Sequence, residues 1–336
     1  MAGGGTRAAI AGCAAALTIW TASAEAGAVD AAVIAAPETI GQAKTNLISA
    51  VGEPAFSSPL APTMWDGLTA LLALVILVVF ARRRWLRLAG APYRPLVFEP
   101  VISMALVVAM IVLAAMGSLV AQRMFGIRLT DENGLARELT LDEQARLSLG
   151  AYLFQAIVLL AFFLRVIDSW KPAVDRRMPV LASGLLGMGS VLAVWPVLQT
   201  VGKIGQIATR RITGETPDSI AHDTLRAMTE GGGSWLIVMS ILVVVVTPVM
   251  EEVAYRGLLQ DAIGRFRLGR WWAIIITSVL FALMHWGNSA PHAVATLFVL
   301  SLAFGWAYEK TGRLTAPIAM HMLFNLVNLA LALAGS

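Results

Sequence analysis

The sequence predicts an all-α, polytopic membrane protein of about eight transmembrane helices, with its chemistry in the C-terminal half. Three observations carry that expectation. First, 58% of the 336 residues are hydrophobic and only 14% charged, where a soluble domain has roughly 25% charged residues. Second, eight apolar stretches approach the ~20 residues that cross hydrocarbon: 64–80, 96–120, 147–164, 178–201, 234–250, 271–286, 293–308 and 316–334. Third, spans one to four carry no acid, His or Asn in mid-membrane except Glu99, near the start of the second, whereas polar side chains gather in the last four.

The N-terminal region divides into two parts. In residues 1–26, Arg7 precedes an alanine-rich stretch from Ala8 to Trp20, followed by small residues at Ala22-Ser23-Ala24 and Ala24-Glu25-Ala26. That pattern reads as a signal peptide or an extra N-terminal helix. Ile10-Ala11-Gly12-Cys13 looks like a lipoprotein acceptor box, but the apolar stretch before it is too short. Residues 27–63, rich in Ala, Pro, Gly and Ser, read as a linker. Residues 64–201 then form a scaffold of four spans, 202–233 an extramembrane loop, and 234–336 the functional half.

Loop charge orients the spans, because Lys and Arg concentrate on the cytoplasmic side. If the first span runs outside to inside, the inner segments carry fifteen Lys and Arg, from Arg82 to Arg313, and the outer ones eight. The expected location is a bacterial inner membrane, multi-pass, with the lipid bilayer as its surroundings. The single cysteine, Cys13, excludes a disulfide framework and a cysteine-rich zinc site. The sequence pI of about 9.6 fits basic loops at a membrane surface. No basic-aromatic patch or glycine-rich phosphate loop points to nucleic acid or nucleotide.

The most informative segment is Glu251-Glu252-Val253-Ala254-Tyr255-Arg256, directly after the apolar run from Ile237 to Met250. Charge in or beside a bilayer is costly and therefore marks a functional site by default. Glu252 and Arg256 are four apart and can pair on one helix face. Glu251 points about a third of a turn away and lacks that partner. Pro248, just upstream, can free a backbone carbonyl. The sixth stretch holds Phe281-Ala282-Leu283-Met284-His285, with Asn288 after it, and the last holds His321-Met322-Leu323-Phe324-Asn325 and Asn328. Histidine suits proton transfer near neutral pH, though a buried His can equally be a core residue. Asn in a span can simply join helices. His222 reads as solvated and His292 as ambiguous.

Paired Glu, three residues, Arg; Phe, three, His; and His, three, Asn, in that order on successive spans, resemble the CPBP family. These are the CAAX prenyl endopeptidases and bacteriocin-processing intramembrane proteases. The resemblance covers roughly residues 235–330. It implies an eight-helix membrane endopeptidase whose site is sunk in the membrane and open to the cytoplasm; the family name points to prenylated carboxyl-terminal cysteine motifs, but the bacterial-looking signal segment makes membrane-associated or secreted peptides the expected substrates. It further implies that Glu251 and His285 activate a water, that His321 and Asn325 steady the oxyanion, and that Glu252 and Arg256 brace the site. General chemistry agrees, since a carboxylate kept from bulk water is a better general base and oxyanion donors in a dry site are worth about 2.7–4 kcal/mol each.

Other readings stay open. Glu251, His285 and His321 form a His₂Glu set of the kind that holds catalytic zinc, although no cofactor is the favoured reading. A transporter or proton relay would also place Glu, His and Asn inside membrane helices, and an immunity or scaffold protein could keep the fold without activity. One geometric requirement is explicit. If the sixth span starts at Trp271, His285 lies about 21 Å along its axis, so convergence is expected to come from a fifth helix that continues through Arg256 to about Ile263 and a sixth that is tilted or enters early.

Overall fold

Seven helices are long and apolar enough to cross a membrane, and the protein is an integral, multi-pass, all-α membrane protein. The computed structural model describes residues 62–88, 97–168, 178–214, 223–266, 269–286 and 289–335. The signal-peptide reading of 1–26, Cys13, nearly all of the 27–63 linker, His222 and Asn288 lie outside the described residues.

Helix α1 (Met64–Arg82) begins at a capping box, in which the Thr63 hydroxyl accepts from Asp66 N and the Asp66 carboxylate accepts from Thr63 N. Only 6% of its apolar window is buried, against 39% for the helix Pro291–Thr311. Helix α1 is therefore peripheral, and its exposed Leu and Val face suits lipid rather than water. Helices α2 (Pro100–Phe125) and α3 (Leu141–Asp168) lie side by side. Glycines permit this: a Cβ at Gly117 would sit 2.1 Å from the Gly150 carbonyl oxygen, and one at Gly150 would sit 2.4 Å from the Gly117 oxygen. Glu99 is exposed at the N-cap of α2 rather than within a span.

Helix α4 (Val180–Thr213) is 34 residues long. It runs on through the first part of the expected 202–233 loop, and a short helix, α5 (Asp223–Glu230), occupies much of the rest. Helix α4 packs against α1 and against the two central helices α8 (Pro291–Thr311) and α9 (Thr315–Gly335). Val191, Leu198, Leu300, Phe304, Ala316 and Met320 form the core between them.

Helix α6 spans Ser234–Ile263 without a break, as expected from the depth argument. It contains two π-helical stretches, Leu242–Val246 and Val253–Gln260, on either side of Thr247–Glu252. Such wide turns are rare and are often found at functional sites. Arg256 thus lies inside the span rather than in an inner loop, leaving fourteen inner basic residues against eight. Helix α7 (Arg270–Leu283) has only 14 residues. It corresponds to the sixth apolar stretch, but at about 21 Å it is shorter than the hydrocarbon layer. His285 falls just past its end, on the turn that follows.

Candidate active site

The site forms where α6, the end of α7 and the middle of α9 meet. Glu252 and Arg256 are both fully buried and joined by an ion pair of 2.9 Å. A buried charge pair needs further partners to offset its desolvation, and α8 supplies them. Arg256 Nη2 donates to the Ser301 hydroxyl at 2.6 Å and to its carbonyl at 3.1 Å. The guanidinium also sits 5.1 Å from the ring centres of both Phe281 and Phe304, in cation–π range.

The same Glu252 oxygen that takes Arg256 also takes His321. His321 Nδ1 lies 3.0 Å from Glu252 Oε1. A carboxylate accepts, so Nδ1 carries the proton, and the other ring nitrogen faces Glu251 at 3.9 Å. One neutral imidazole therefore has no second N–H to offer the cavity. An additional proton on Nε2 is needed before His321 can donate there.

Glu251 differs from its neighbour. Its side chain is 24% exposed, and its Oε2 has no hydrogen-bond donor among the described residues. One glutamate is buried and held through Oε1 by two partners, its Oε2 having none among the described residues, and the other faces open space. That space is a cavity of about 910 Å³, lined by Glu251, His285, His321 and Asn325 together with Tyr152, Tyr255, Phe281, His292 and Asn328.

Phe281 holds both imidazoles in place. Its ring centre lies 4.6 Å from that of His285 and 6.1 Å from that of His321. His285 Nδ1 is 2.8 Å from the Phe281 carbonyl. A carbonyl can only accept, so Nδ1 donates, and a neutral His285 keeps Nε2 as an acceptor.

Asn325 has a partner that follows from backbone arithmetic. Thr247 N–H bonds the Leu242 carbonyl five residues back. In that register the next donor, to Val243, would be residue 248, which is proline and has no N–H. Asn325 Nδ2 takes the vacant carbonyl instead, donating to Val243 O at 2.8 Å. This uses one of its two amide hydrogens and leaves the other. Asn328 donates back to Phe324 O on its own helix, so it does not join α9 to a neighbour.

Among the described residues, no three His, Cys, Asp or Glu side chains are grouped to hold a metal ion. Nδ1 of His285 is committed to a carbonyl and Nδ1 of His321 to Glu252. The three residues of the alternative His₂Glu set, Glu251, His285 and His321, all line the cavity without forming such a cluster, and a hydrogen bond at each Nδ1 leaves Nε2 as the atom that would face a metal.

Several contributors were not singled out in the sequence. Ser301 and Phe304 complete the Arg256 shell. Tyr152, on α3, is hydrogen-bonded to Thr247 at 2.5 Å. The only sequence signal for Ser301 is one hydroxyl in an apolar helix, and Tyr152 carries none. His292 is buried and lines the cavity.

Comparison with known proteins bears on the same segment. Residues 233–327 match the family described as Type II CAAX prenyl endopeptidase Rce1-like. That match supports a likeness of this segment to the CPBP, or CAAX protease, family. The uncharacterised protein YyaK of Bacillus subtilis (strain 168) is 26% identical over 117 residues, which is 32% of this chain and 39% of YyaK. The chain thus matches well under half the length of that relative. No solved structure matches the chain. The matched segment coincides with α6 to α9, the helices that carry every charged or imidazole group of the site.

Proposed function

We propose that the protein is an intramembrane endopeptidase that hydrolyses peptide bonds of membrane-associated or secreted substrates. The observation that supports this best is the contrast between the two adjacent glutamates. Glu252 is fully buried and bound through Oε1 to both Arg256 and His321, whereas Glu251 is partly exposed and lines a large cavity. Neighbouring titratable groups in unlike environments mark a division of labour.

In this reading Glu251 accepts a proton from a cavity water as that water attacks a peptide carbonyl. His285, with Nε2 as acceptor, orients the same water, and the proton that Glu251 took from it is then delivered to the leaving amine, which restores the carboxylate. The free hydrogen of Asn325 supports the oxyanion, joined by His321 when its Nε2 is protonated. Glu252, Arg256 and Ser301 do not touch substrate; they fix the position of His321.

The test is a comparison of membrane and secreted peptides between wild type and Glu251→Gln. A peptidase loses specific products while the variant is still made and inserted. Identical peptide pools would refute the assignment and favour a non-catalytic membrane protein of the same fold. Treatment with a strong chelator separates the two chemistries: cleavage should persist, and loss followed by recovery with zinc would establish the metal alternative.

A further inference from the structure

We infer that the cavity opens on the non-cytoplasmic face of the membrane, so that its substrate is an internal segment of a peptide already carried across. The nature of that substrate rests on the endopeptidase reading; the sidedness does not.

One end of the bundle is basic and closed. There the end of α1 meets the start of α7 and the end of α8: Trp271 Nε1 donates to Leu86 O at 3.1 Å and Trp306 Nε1 to Trp85 O at 3.0 Å. Met178 N donates to Thr311 O at 3.1 Å, joining the start of α4 to the same end. The described residues at this end include Arg82-Arg83-Arg84, Arg87, Arg270, Lys310 and Arg313, and the sequence count of inner Lys and Arg is fourteen against eight. Such an excess faces the cytoplasm.

Between this end and the site lies a second buried polar layer. Gln260 Nε2 donates to Glu309 at 3.0 Å, Arg270 pairs with the other Glu309 oxygen at 3.2 Å, and Tyr308 donates to Asp261 at 2.9 Å. Leu258, Ala262 and Ala307 fill the rest with no exposed surface. Nothing in this layer lines the cavity.

The cavity instead extends toward the opposite end. From His321 its wall follows α9 through Asn325 and Asn328 to Leu331, and on α4 it reaches Gln199 and Gln206. Gln199 and Leu331 are exposed. Helix α5, on the far side of the membrane from the arginine-rich end, contributes Thr224 to the wall. The resemblance to CPBP proteases implied a cytoplasmic opening; the charge distribution of this chain and the direction of its cavity together indicate the other face.

The wall also constrains what fits. Gln199 and Gln206 provide amides and Ser148 a hydroxyl, which suit the N–H and C=O groups of an extended backbone, while Gln155 and Ser118 donate to Met110 O and Leu147 O and offer their oxygens as acceptors. Among the described residues no Lys or Arg lines it. A terminal carboxylate would find no cation there, which favours an internal segment.

The test uses full-length protein with Cys13→Ser and one introduced cysteine at a time, in spheroplasts. A membrane-impermeant maleimide should label Gln199→Cys and Gln206→Cys without permeabilisation, and Arg83→Cys at least tenfold more after it. The reverse pattern would overturn the sidedness. Peptides that differ between wild type and Glu251→Gln should appear outside the spheroplasts; recovery of them only inside would overturn the substrate class. No differing peptide at all would remove the endopeptidase reading while leaving the labelling result to decide the sidedness.

Discussion

Changing either of two adjacent residues to glutamine should produce opposite failures. In Glu252→Gln the negative charge disappears between Arg256 and His321, and a guanidinium with no exposed surface remains. Breaking a buried pair from one side costs about 3–5 kcal/mol, against a total stability of roughly 5–15 kcal/mol. The melting temperature in detergent should fall on the order of 10 °C, and the amount of folded protein should fall with it. Glu251→Gln removes no hydrogen bond donated to Oε2 and changes a side chain that is 24% exposed. Its cost should stay under about 1 kcal/mol, while loss of a general base lowers cleavage by about 10²–10⁴. Fluorescence-detected size-exclusion melts paired with peptide cleavage measure both quantities. If Glu251→Gln melted as low as Glu252→Gln, or cleaved within threefold of wild type, the division between a bracing and a reactive carboxylate would be wrong.

Three further outcomes follow from the geometry. The double variant Glu252→Leu/Arg256→Met replaces the ion pair with apolar volume and should recover most of the melting temperature lost in Glu252→Gln. Cleavage should not return, because His321 Nδ1 has lost its acceptor. Asn325→Ala should destabilise the protein by about 1–3 kcal/mol by leaving the Val243 carbonyl without a donor. Pro248→Ala restores a backbone N–H in reach of that carbonyl, so a double-mutant cycle should show coupling of at least about 0.5 kcal/mol; strict additivity would argue against the shared carbonyl. Gly117→Ala places a methyl 2.1 Å from the Gly150 oxygen and should cost about 1–3 kcal/mol by overpacking, whereas Gly67→Ala, with open space around it, should melt near wild type.

What could be read from residues alone, and what could not, divides along a physical line. Apolar run length revealed the helices, since hydrocarbon thickness sets a nearly sequence-independent requirement. The i, i+4 spacing showed that Glu252 would pair with Arg256 and leave Glu251 apart, and the depth of His285 led to the expectation that α6 extends beyond Arg256. The contacts that finish the site are between helices, and no local rule reports them. Nothing near His321 indicates that Glu252 accepts from it, and nothing near Ser301 indicates an arginine 45 residues earlier in the chain. The π-helical stretches were equally hidden, because the same residues would serve an ordinary helix. Pro248 was a partial exception: its missing N–H foretold a vacant carbonyl, though not that Asn325 would fill it.

The shortness of α7 has a consequence for the surrounding lipid. A rod of about 21 Å leaves roughly 9 Å of a 30 Å hydrocarbon layer unspanned beside His285. Acyl chains there must compress or give way to headgroups and water. A dimple of this kind would let a polar backbone approach the reactive carboxylate without crossing a full thickness of oil. Turnover in reconstituted vesicles should therefore fall as chain length is raised from fourteen to twenty-two carbons, the bilayer itself acting as part of the barrier.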